Sequence, residues 1–252
     1  MNLRRKTEIL NHLKENTSAR VSELSDYFNV SEETIRRDLD LLQKDGMVSR
    51  FHGGAMMIEK AAPEPPINLR SSENAAEKTR IGMAAAEFIK EGDTLFIGSG
   101  TTTGAMARCL NGRSDITVIT NSLIVINQLF QEKGISLIST GGVFRGSECS
   151  FIGYLTEQVL SELRPNKVFM GIRAISLDGG LTNDYLPEVS TDRVIIQSAP
   201  EIILLADHSK FDKISTAFVA PLTAVHRIIT DTETPKSMTS AIAAQGIQVL
   251  FV

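Results

Sequence analysis

The chain has 252 residues, of which 42% are hydrophobic, and a formal net charge of −4, so it can form one or two domains with sizeable cores. Its two cysteines, Cys109 and Cys149, form no CxxC pair and its four histidines are scattered, which argues against a structural zinc site. Because no apolar run approaches membrane-spanning length and no signal peptide is evident, we expect a cytoplasmic protein without a membrane partner, metal or cofactor.

The first sixty residues have the pattern of three helices followed by a small hairpin. Apolar residues recur at helical spacing over 4–16, and a second helix is expected after Ser22 as its N-cap. Ser31 is the expected N-cap of a third helix, and residues 47–54 resemble a strand and a turn. This arrangement predicts a winged helix-turn-helix.

The third helix carries basic side chains opposite its apolar stripe. Ile35 and the leucines four and seven positions later face a core, which leaves Thr34, Arg36 and Arg37 on the outer side. Such a helix can enter a DNA major groove. The alternative is a simple packing unit, because residues 1–60 hold ten Lys or Arg and ten Asp or Glu and lack the basic charge typical of DNA-binding domains.

Residues 4–57 resemble the DNA-binding domain of the DeoR family of bacterial regulators of sugar metabolism. The resemblance is carried by V-S-E-L-S-D-Y-F-N-V-S-E-E-T-I-R-R-D-L-D-L-L and the following G-M-V-S-R-F-H-G-G-A. It implies that the helix from Ser31 to Lys44 reads double-stranded operator DNA. The candidate DNA-binding residues are Ser31, Thr34, Arg36, Arg37, Lys44, Arg50 and His52.

A proline-rich segment follows this domain. The run K-A-A-P-E-P-P at residues 60–66 holds three of the eight prolines, so it favours an extended chain and cannot continue a helix. We therefore expect a DNA-binding domain at 1–58, a linker at 59–70 and an α/β domain at 71–252.

Beyond residue 93, short apolar runs alternate with helical segments. This pattern indicates an α/β fold with a mostly parallel sheet that is covered on both faces. Ligands of such sheets bind beyond the carboxyl ends of the strands. The runs lie at residues 95–97, 116–119, 136–138, 168–170, 202–205, 218–219 and 227–229.

Small and polar residues follow several of these runs. The G-S-G-T-T-T-G loop at 98–104 offers backbone N–H groups, hydroxyls and a helix N-terminus to a phosphate. Carboxylates and amides in later loops suit sugar hydroxyls. Each loop alone is better explained by the steric needs of a tight turn, whereas their convergence favours a ligand site. The candidate effector-binding residues are Ser99, Gly100, Thr101, Thr102, Thr103, Thr120, Asn121, Gly141, Gly142, Gly171, Gly180, Glu188, Asp207, Lys210 and Asp231.

Residues 70–252 resemble the sensor domain of the same family, which shares its fold with ribose-5-phosphate isomerase. The motifs are G-T-T at 100–102, T-N-S at 120–122, G-G at 141–142, G-L at 180–181, D-H-S-K at 207–210 and I-T-D at 229–231. The resemblance implies a phosphorylated sugar or polyol as effector. Gly98 stands where many members of the family carry Asp. The resemblance therefore implies the chemical class of the effector more firmly than the identity of the sugar.

Two functions remain open. The first is a repressor of a carbohydrate-utilisation operon that the effector releases from DNA, with an activator or dual regulator as a variant, because the sequence does not set the sign. The second is a sugar-phosphate isomerase with an attached DNA-binding domain, using Asp184, Glu188 or Asp207 as base and Lys210 to stabilise an enediolate. The complete DNA-binding domain favours regulation without catalysis.

The short stretch of DNA that one winged helix contacts predicts an oligomer. A single module buries too little surface for useful specificity. We therefore expect a homodimer or homotetramer that is joined through the sensor domains.

Overall fold

The computed structural model describes residues 3–16, 18–44, 48–51, 53–57, 59–60 and 65–252. The chain divides into two units, Met1–Lys60 and Ala61–Val252. Among the described residues, no helix is long and apolar enough to cross a membrane.

The first unit is a winged helix-turn-helix, as the sequence predicts. Its helices are α1 (Leu3–Asn16), α2 (Val21–Phe28) and α3 (Glu32–Lys44), and its strands are β1 (Ser18–Arg20), β2 (Val48–Phe51), β3 (Gly54–Met57) and β4 (Glu59–Lys60). Strands β1, β3 and β2 form an antiparallel sheet in that order. A core that includes Ile9, Leu24, Ile35 and Leu39 joins the three helices.

Of the two N-caps predicted for this unit, one is correct and one is wrong. Ser31 Oγ accepts the Thr34 N–H at 3.3 Å, so Ser31 caps α3 as expected. Helix α2, however, starts at Val21 and not after Ser22. The Glu23 carboxylate accepts the Arg20 N–H at 2.8 Å and thereby closes the first turn earlier.

The second unit has seven helices and thirteen strands among its described residues. The helices are α4 (Ile67–Arg70), α5 (Ala75–Ala86), α6 (Thr101–Arg108), α7 (Leu123–Leu129), α8 (Tyr154–Glu162), α9 (Leu186–Gln197) and α10 (Lys236–Ala243). The strands are β5 (Thr94–Ile97), β6 (Thr117–Thr120), β7 (Ser136–Ser139), β8 (Val143–Arg145), β9 (Ser150–Ile152), β10 (Lys167–Met170), β11 (Ala174–Ser176), β12 (Gly180–Asn183), β13 (Glu201–Leu205), β14 (Lys213–Ile214), β15 (Ala217–Ala220), β16 (Arg227–Thr230) and β17 (Gln248–Phe251).

A seven-stranded parallel sheet forms the centre of this unit, in the order β7-β6-β5-β10-β13-β16-β17. Successive residues of its strands enter different cores. Leu95 and Ile97 pack in one core and Phe96 packs in the other. Both faces are therefore covered, which explains the continuous apolar runs in the sequence.

Two small antiparallel sheets flank the main sheet. One is the β8-β9 hairpin and the other has the order β11-β12-β15. The run at 218–219 therefore belongs to β15, outside the parallel sheet. Phe218 is exposed and Val219 is buried, an alternation typical of a half-covered antiparallel strand.

The main sheet has a topological switch point between β5 and β10. From β5 the chain continues to β6 and β7 on one side, whereas β10, β13, β16 and β17 build the other side. The connections leave these two strands in opposite directions, so a crevice forms at their carboxyl ends.

The segment predicted as a linker ends in α4. Residues 61–64 lie outside the described part of the chain, so a linker at 59–70 stays a prediction. Ile67 and Arg70 of α4 are buried, which makes the end of this segment part of the second unit.

Candidate functional site

An open cleft lies at the switch point. It is lined by the loop after β5, by the loop after β10 and by side chains from α9 and the segment after β13. Eight of the candidate effector-binding residues meet there, namely residues 99–103, Gly171, Glu188 and Lys210.

One wall of the cleft is the N-terminus of α6. Gly100 precedes this helix with φ of +135° and contributes no side-chain cap. The Thr103 hydroxyl donates to the Gly100 carbonyl at 3.0 Å, so Thr103 holds the turn together. The first-turn N–H groups have no acceptor within the helix and carry the positive end of its dipole. This wall therefore suits an anion such as a phosphate.

Another part of the lining is a carboxylate cluster on α9. Asn183 Nδ2 donates to Glu188 Oε2 at 3.3 Å and to Asp192 Oδ2 at 2.8 Å. Glu188 also pairs with Arg145, whose guanidinium lies 4.1 Å above the Tyr185 ring. Burial, followed by the charge of Glu188, raises the pKa of Asp192 well above its usual value. The wall thus combines carboxyl and amide groups of the kind that hydrogen-bond sugar hydroxyls.

The cleft also contains charged residues that sequence reasoning missed as site residues. Arg70 and Arg173 add positive charge, and Glu148 and Asp192 add carboxyl groups. Asp192 had a usable signal, because Glu188 and Asp192 are four residues apart on one helix and so share a face. Arg70 had none, since the proline-rich composition assigned it to the linker.

Four candidate residues lie outside the lining of the cleft, at the end of β6 and in the loops after β6 and β7, and are engaged in packing. Thr120 Oγ1 donates to the Ile97 carbonyl at 2.6 Å, and Asn121 Nδ2 donates to the Phe151 carbonyl at 3.0 Å. The Gly141 carbonyl accepts from Thr156 at 2.6 Å. Gly142 lies against the same threonine, which leaves no room for a Cβ.

Gly180 also lies outside the lining and has a steric role. Its φ is +67°, and a Cβ on it would lie 2.5 Å from the Ala220 carbonyl oxygen. The glycine therefore permits close pairing of β12 and β15.

Asp207 and Asp231 support the segment that carries Lys210 into the cleft. Asp207 is buried and accepts from the Ser209 N–H at 3.0 Å and from Asn74 at 3.1 Å. Burial opposes its ionisation, but the hydrogen bond from Ser209 and the charge of Lys210 leave the pKa of Asp207 below its usual value.

Asp231 fixes the start of the same segment. Its carboxylate accepts the His208 N–H at 2.8 Å and lies 3.0 Å from His208 Nδ1. Both aspartates thus position Lys210.

Helix α3 has an exposed basic surface in the first unit. Arg36 and Arg37 are exposed, and Arg36 forms an ion pair with Glu32 at 2.6 Å. The Thr34 hydroxyl lies 2.8 Å from Ser31 Oγ at the start of the helix. Asp38 faces inward, where it is buried against Arg5 at 2.5 Å.

The remaining candidate DNA-binding residues have different positions. Arg50 on β2 binds Asp40 at 2.6 Å and the Arg36 carbonyl at 3.2 Å, so it ties the wing to α3. Lys44 is the last residue of α3. His52 lies outside the described residues.

Comparison with known families assigns both units. Residues 5–61 match the model of the DeoR-like helix-turn-helix domain, and residues 73–232 match that of the DeoR C terminal sensor domain. The chain belongs to the DeoR family. As a DeoR-family member with both domains, it is a DNA-binding transcription regulator, as its sequence motifs predicted.

Two relatives match this DeoR-family chain over nearly its whole length. The HTH-type transcriptional regulator IolR of Bacillus subtilis is 37% identical over 230 residues, which are 91% of each chain. The glycerol-3-phosphate regulon repressor of Escherichia coli K12 is 33% identical over 241 residues, 96% of this chain and 95% of the relative.

One solved structure is a more distant match. Ribose 5-phosphate isomerase A from Methanocaldococcus jannaschii is 19% identical, with a TM-score of 0.42 and coverage of 55% of each chain.

Proposed function

We propose that this chain is a repressor of a carbohydrate-utilisation operon and that a phosphorylated sugar or polyol releases it from its operator. The cleft at the switch point carries the proposal. Its α6 wall and Lys210 offer positive potential to a phosphate, and its α9 wall offers hydrogen-bonding groups to hydroxyls. One relative is named as a glycerol-3-phosphate regulon repressor, which supports a phosphorylated polyol as a ligand class.

In this proposal the effector acts by differential binding. A ligand shifts the protein away from DNA only if it binds the DNA-free arrangement more tightly. A tenfold loss of operator affinity needs about 1.4 kcal/mol of coupling, which lies within the usual allosteric range. An activator or dual regulator would use the same cleft with the opposite sign of coupling.

Catalysis is the less supported function. An isomerase needs a base that is available to the substrate, and the candidate carboxylates already have partners. Asp184 lies 3.6 Å from Arg173, Asp207 accepts from Ser209 and Asn74, and Glu188 pairs with Arg145. Incubation with ribose 5-phosphate should therefore yield no ribulose 5-phosphate.

The proposed homodimer or homotetramer is supported by an apolar surface on the second unit. Val143, Tyr154, Leu155 and Leu186 are large apolar or aromatic residues that are each 59% exposed or more. Exposed apolar surface of this kind is typical of protein interfaces. A second copy of this chain is the expected partner at this surface, because two winged helices give more specific DNA binding than one.

The test of the proposed function is operator affinity against effector concentration. The probes are glycerol 3-phosphate, ribose 5-phosphate and glucose 6-phosphate, and the DNA is selected by the wild-type protein. We expect at least one probe to weaken DNA binding by about tenfold or more. The double variant Thr102→Val with Lys210→Ala should bind the same DNA normally and ignore the probe. A variant that responds as the wild type does would show that the cleft is not the effector site.

A further inference from the structure

The wall of the cleft includes Arg70, which follows the DNA-binding unit closely along the chain. The first unit ends at Lys60, residues 61–64 lie outside the described part, and the chain is described again from Pro65. Five residues later, Arg70 lines the cleft together with Glu148. The covalent connection between the two units therefore ends at a residue of the candidate effector site.

Two contacts hold this connecting segment to the rest of the second unit, and a third lies within the segment. The Ile67 N–H donates to the Ser147 carbonyl at 2.8 Å. Arg70 Nη2 forms an ion pair with Glu148, the residue that follows Ser147. Arg70 Nε also donates to the Pro65 carbonyl at 2.8 Å. One side chain thus fixes the start of the segment, its end and the loop between β8 and β9.

The downstream side of Arg70 has a separate anchor. The buried Lys78 on α5 donates from Nζ to the Arg70 carbonyl at 2.8 Å and to the Glu73 carbonyl at 2.5 Å. A change of partner at the Arg70 side chain would consequently leave the backbone of residues 70–73 in place. It would act on the upstream part, residues 65–69, which leads to the DNA-binding unit.

Charge and burial make Arg70 responsive to an anionic ligand. The side chains of Arg70 and Glu148 are 8% and 7% exposed, and a buried charge depends strongly on having a partner. Ser71, Thr101 and Gly104 line one further cleft, so the end of α4 lies close to the first turns of α6. A phosphate at the α6 N-terminus would attract the guanidinium, which can bind it through two hydrogen bonds, and would repel Glu148.

We propose that Arg70 binds the phosphate of the effector and leaves Glu148 as it does so, which loosens residues 65–69 and carries pocket occupancy to the DNA-binding unit. This role of Arg70 rests on the proposed function. It assigns the phosphate to the α6–Arg70 side of the cleft and the hydroxyls to the α9 side.

Hydrogen exchange of the wild-type full chain tests the exchange of partners. The probes are inorganic phosphate, glycerol 3-phosphate, ribose 5-phosphate and glucose 6-phosphate. We expect a bound probe to slow exchange at the start of α6 and to speed exchange over residues 67–69 by about threefold or more. Protection of α6 with unchanged or slower exchange at 67–69 would overturn the inference but leave the proposed function intact. If no probe protects α6, the inference fails together with the proposed function.

Two variants of the ion pair separate this role from a merely structural one. Arg70→Gln should weaken binding of the best probe by about tenfold, because a charge-assisted contact is lost. Glu148→Gln should instead tighten binding by about threefold, because the competing carboxylate is gone. A structural pair would predict loss of affinity in both variants, and that result would overturn the inference.

Matched controls keep this comparison interpretable. Arg80→Gln breaks an exposed pair with Glu77 on α5 and should leave probe affinity unchanged. If Arg70→Gln fails to fold, Arg70→Lys keeps the positive charge but loses the two-point contact. Probe affinity in Arg70→Lys should then fall by about threefold, and full wild-type affinity would count against the role of Arg70.

Discussion

The Gly141-Gly142 loop shows how packing can select the same residues as ligand binding. Gly142 has φ of +123°, and a Cβ on it would lie 2.2 Å from Thr156 Oγ1 and 2.9 Å from the Ile152 carbonyl oxygen. The neighbouring Gly141 carbonyl accepts from the same threonine. At residue scale, the close approach of α8 explains the glycine at 142, whereas Gly141 meets nothing within 4 Å and is favoured by its φ of +62°. The role of both glycines in effector binding stays a prediction.

We expect Gly142→Ala to lower the free energy of unfolding by about 1–3 kcal/mol, because the variant adds a clash to an unfavourable backbone conformation. Thermal unfolding of the full chain measures the effect. Gly146→Ala is the matched control, since a Cβ there meets nothing within 4 Å. Equal melting temperatures for the two variants would contradict this explanation of Gly142.

Asp192 gives a residue-scale prediction about pH. Burial and the charge of Glu188 raise its pKa in the folded state, so ionisation opposes folding as the pH rises above the unfolded value of about 3.9. Asp192→Asn removes this cost and can still accept from Asn183. The variant should therefore gain melting temperature over the wild type as the pH rises from 4 towards 8.

Asp115→Asn is a control that should show the opposite dependence of stability on pH. A hydrogen bond from Arg113 lowers the pKa of Asp115, so its contribution to stability is present above the unfolded pKa and is lost on acidification. The Asn variant at position 115 should show a small deficit at neutral pH that disappears in acid. A gain for Asp192→Asn that does not change with pH would show that the carboxyl ionises without cost.

At the scale of secondary-structure elements, α3 combines a buried face with a basic face. Ile35, Asp38 and Leu39 are buried, whereas Arg36 and Arg37 are exposed. Glu32 pairs with Arg36 in the DNA-free chain, so this ion pair competes with a contact between the arginine and DNA. The helix can therefore lose either arginine from its exposed face without losing its core.

We expect Arg36→Ala and Arg37→Ala each to weaken operator binding by about 1–3 kcal/mol if the contact is to a base. A phosphate contact would instead weaken all sequences alike and reduce the salt dependence. Titration of operator and unrelated DNA at several salt concentrations separates the two cases. Arg80→Ala serves as the control, and unchanged affinity in both α3 variants would refute α3 as the recognition helix.

At the scale of the whole molecule, the apolar surface on the second unit predicts self-association. The N-terminal turns of α8 and α9 expose Tyr154, Leu155 and Leu186. Ser190 and Thr191 of α9 both donate to Glu157 of α8, at 2.7 and 2.9 Å, so the two helix ends are held together. These side chains thus share one region of the surface, which suits an interface.

We expect Leu155→Glu combined with Leu186→Glu to convert the oligomer into a monomer, because burying two carboxylates at an interface is costly. Sedimentation at micromolar concentration measures the change, and operator affinity should fall with it. Phe130→Glu alters an exposed apolar residue at the end of α7 and should leave the assembly intact. An oligomer that survives the double variant would place the interface elsewhere.

The sequence alone determined the local features of this protein. Helical spacing and the Ser31 cap define α3, and continuous apolar runs define the parallel strands, because both signals depend on neighbours within a few residues. The phosphate-type loop at 98–104 was recognisable for the same reason, since it lies within a single strand-to-helix turn.

Only the tertiary structure decided which distant residues share the cleft. Strand order places the loop after β10 beside the loop after β5, and it leaves the loops after β6 and β7 outside the lining. Arg70 and Glu148 are 78 positions apart and meet through packing. Composition could not reveal this contact, because a proline-rich stretch reports local chain stiffness and contains no information about the charged partner it will meet after folding.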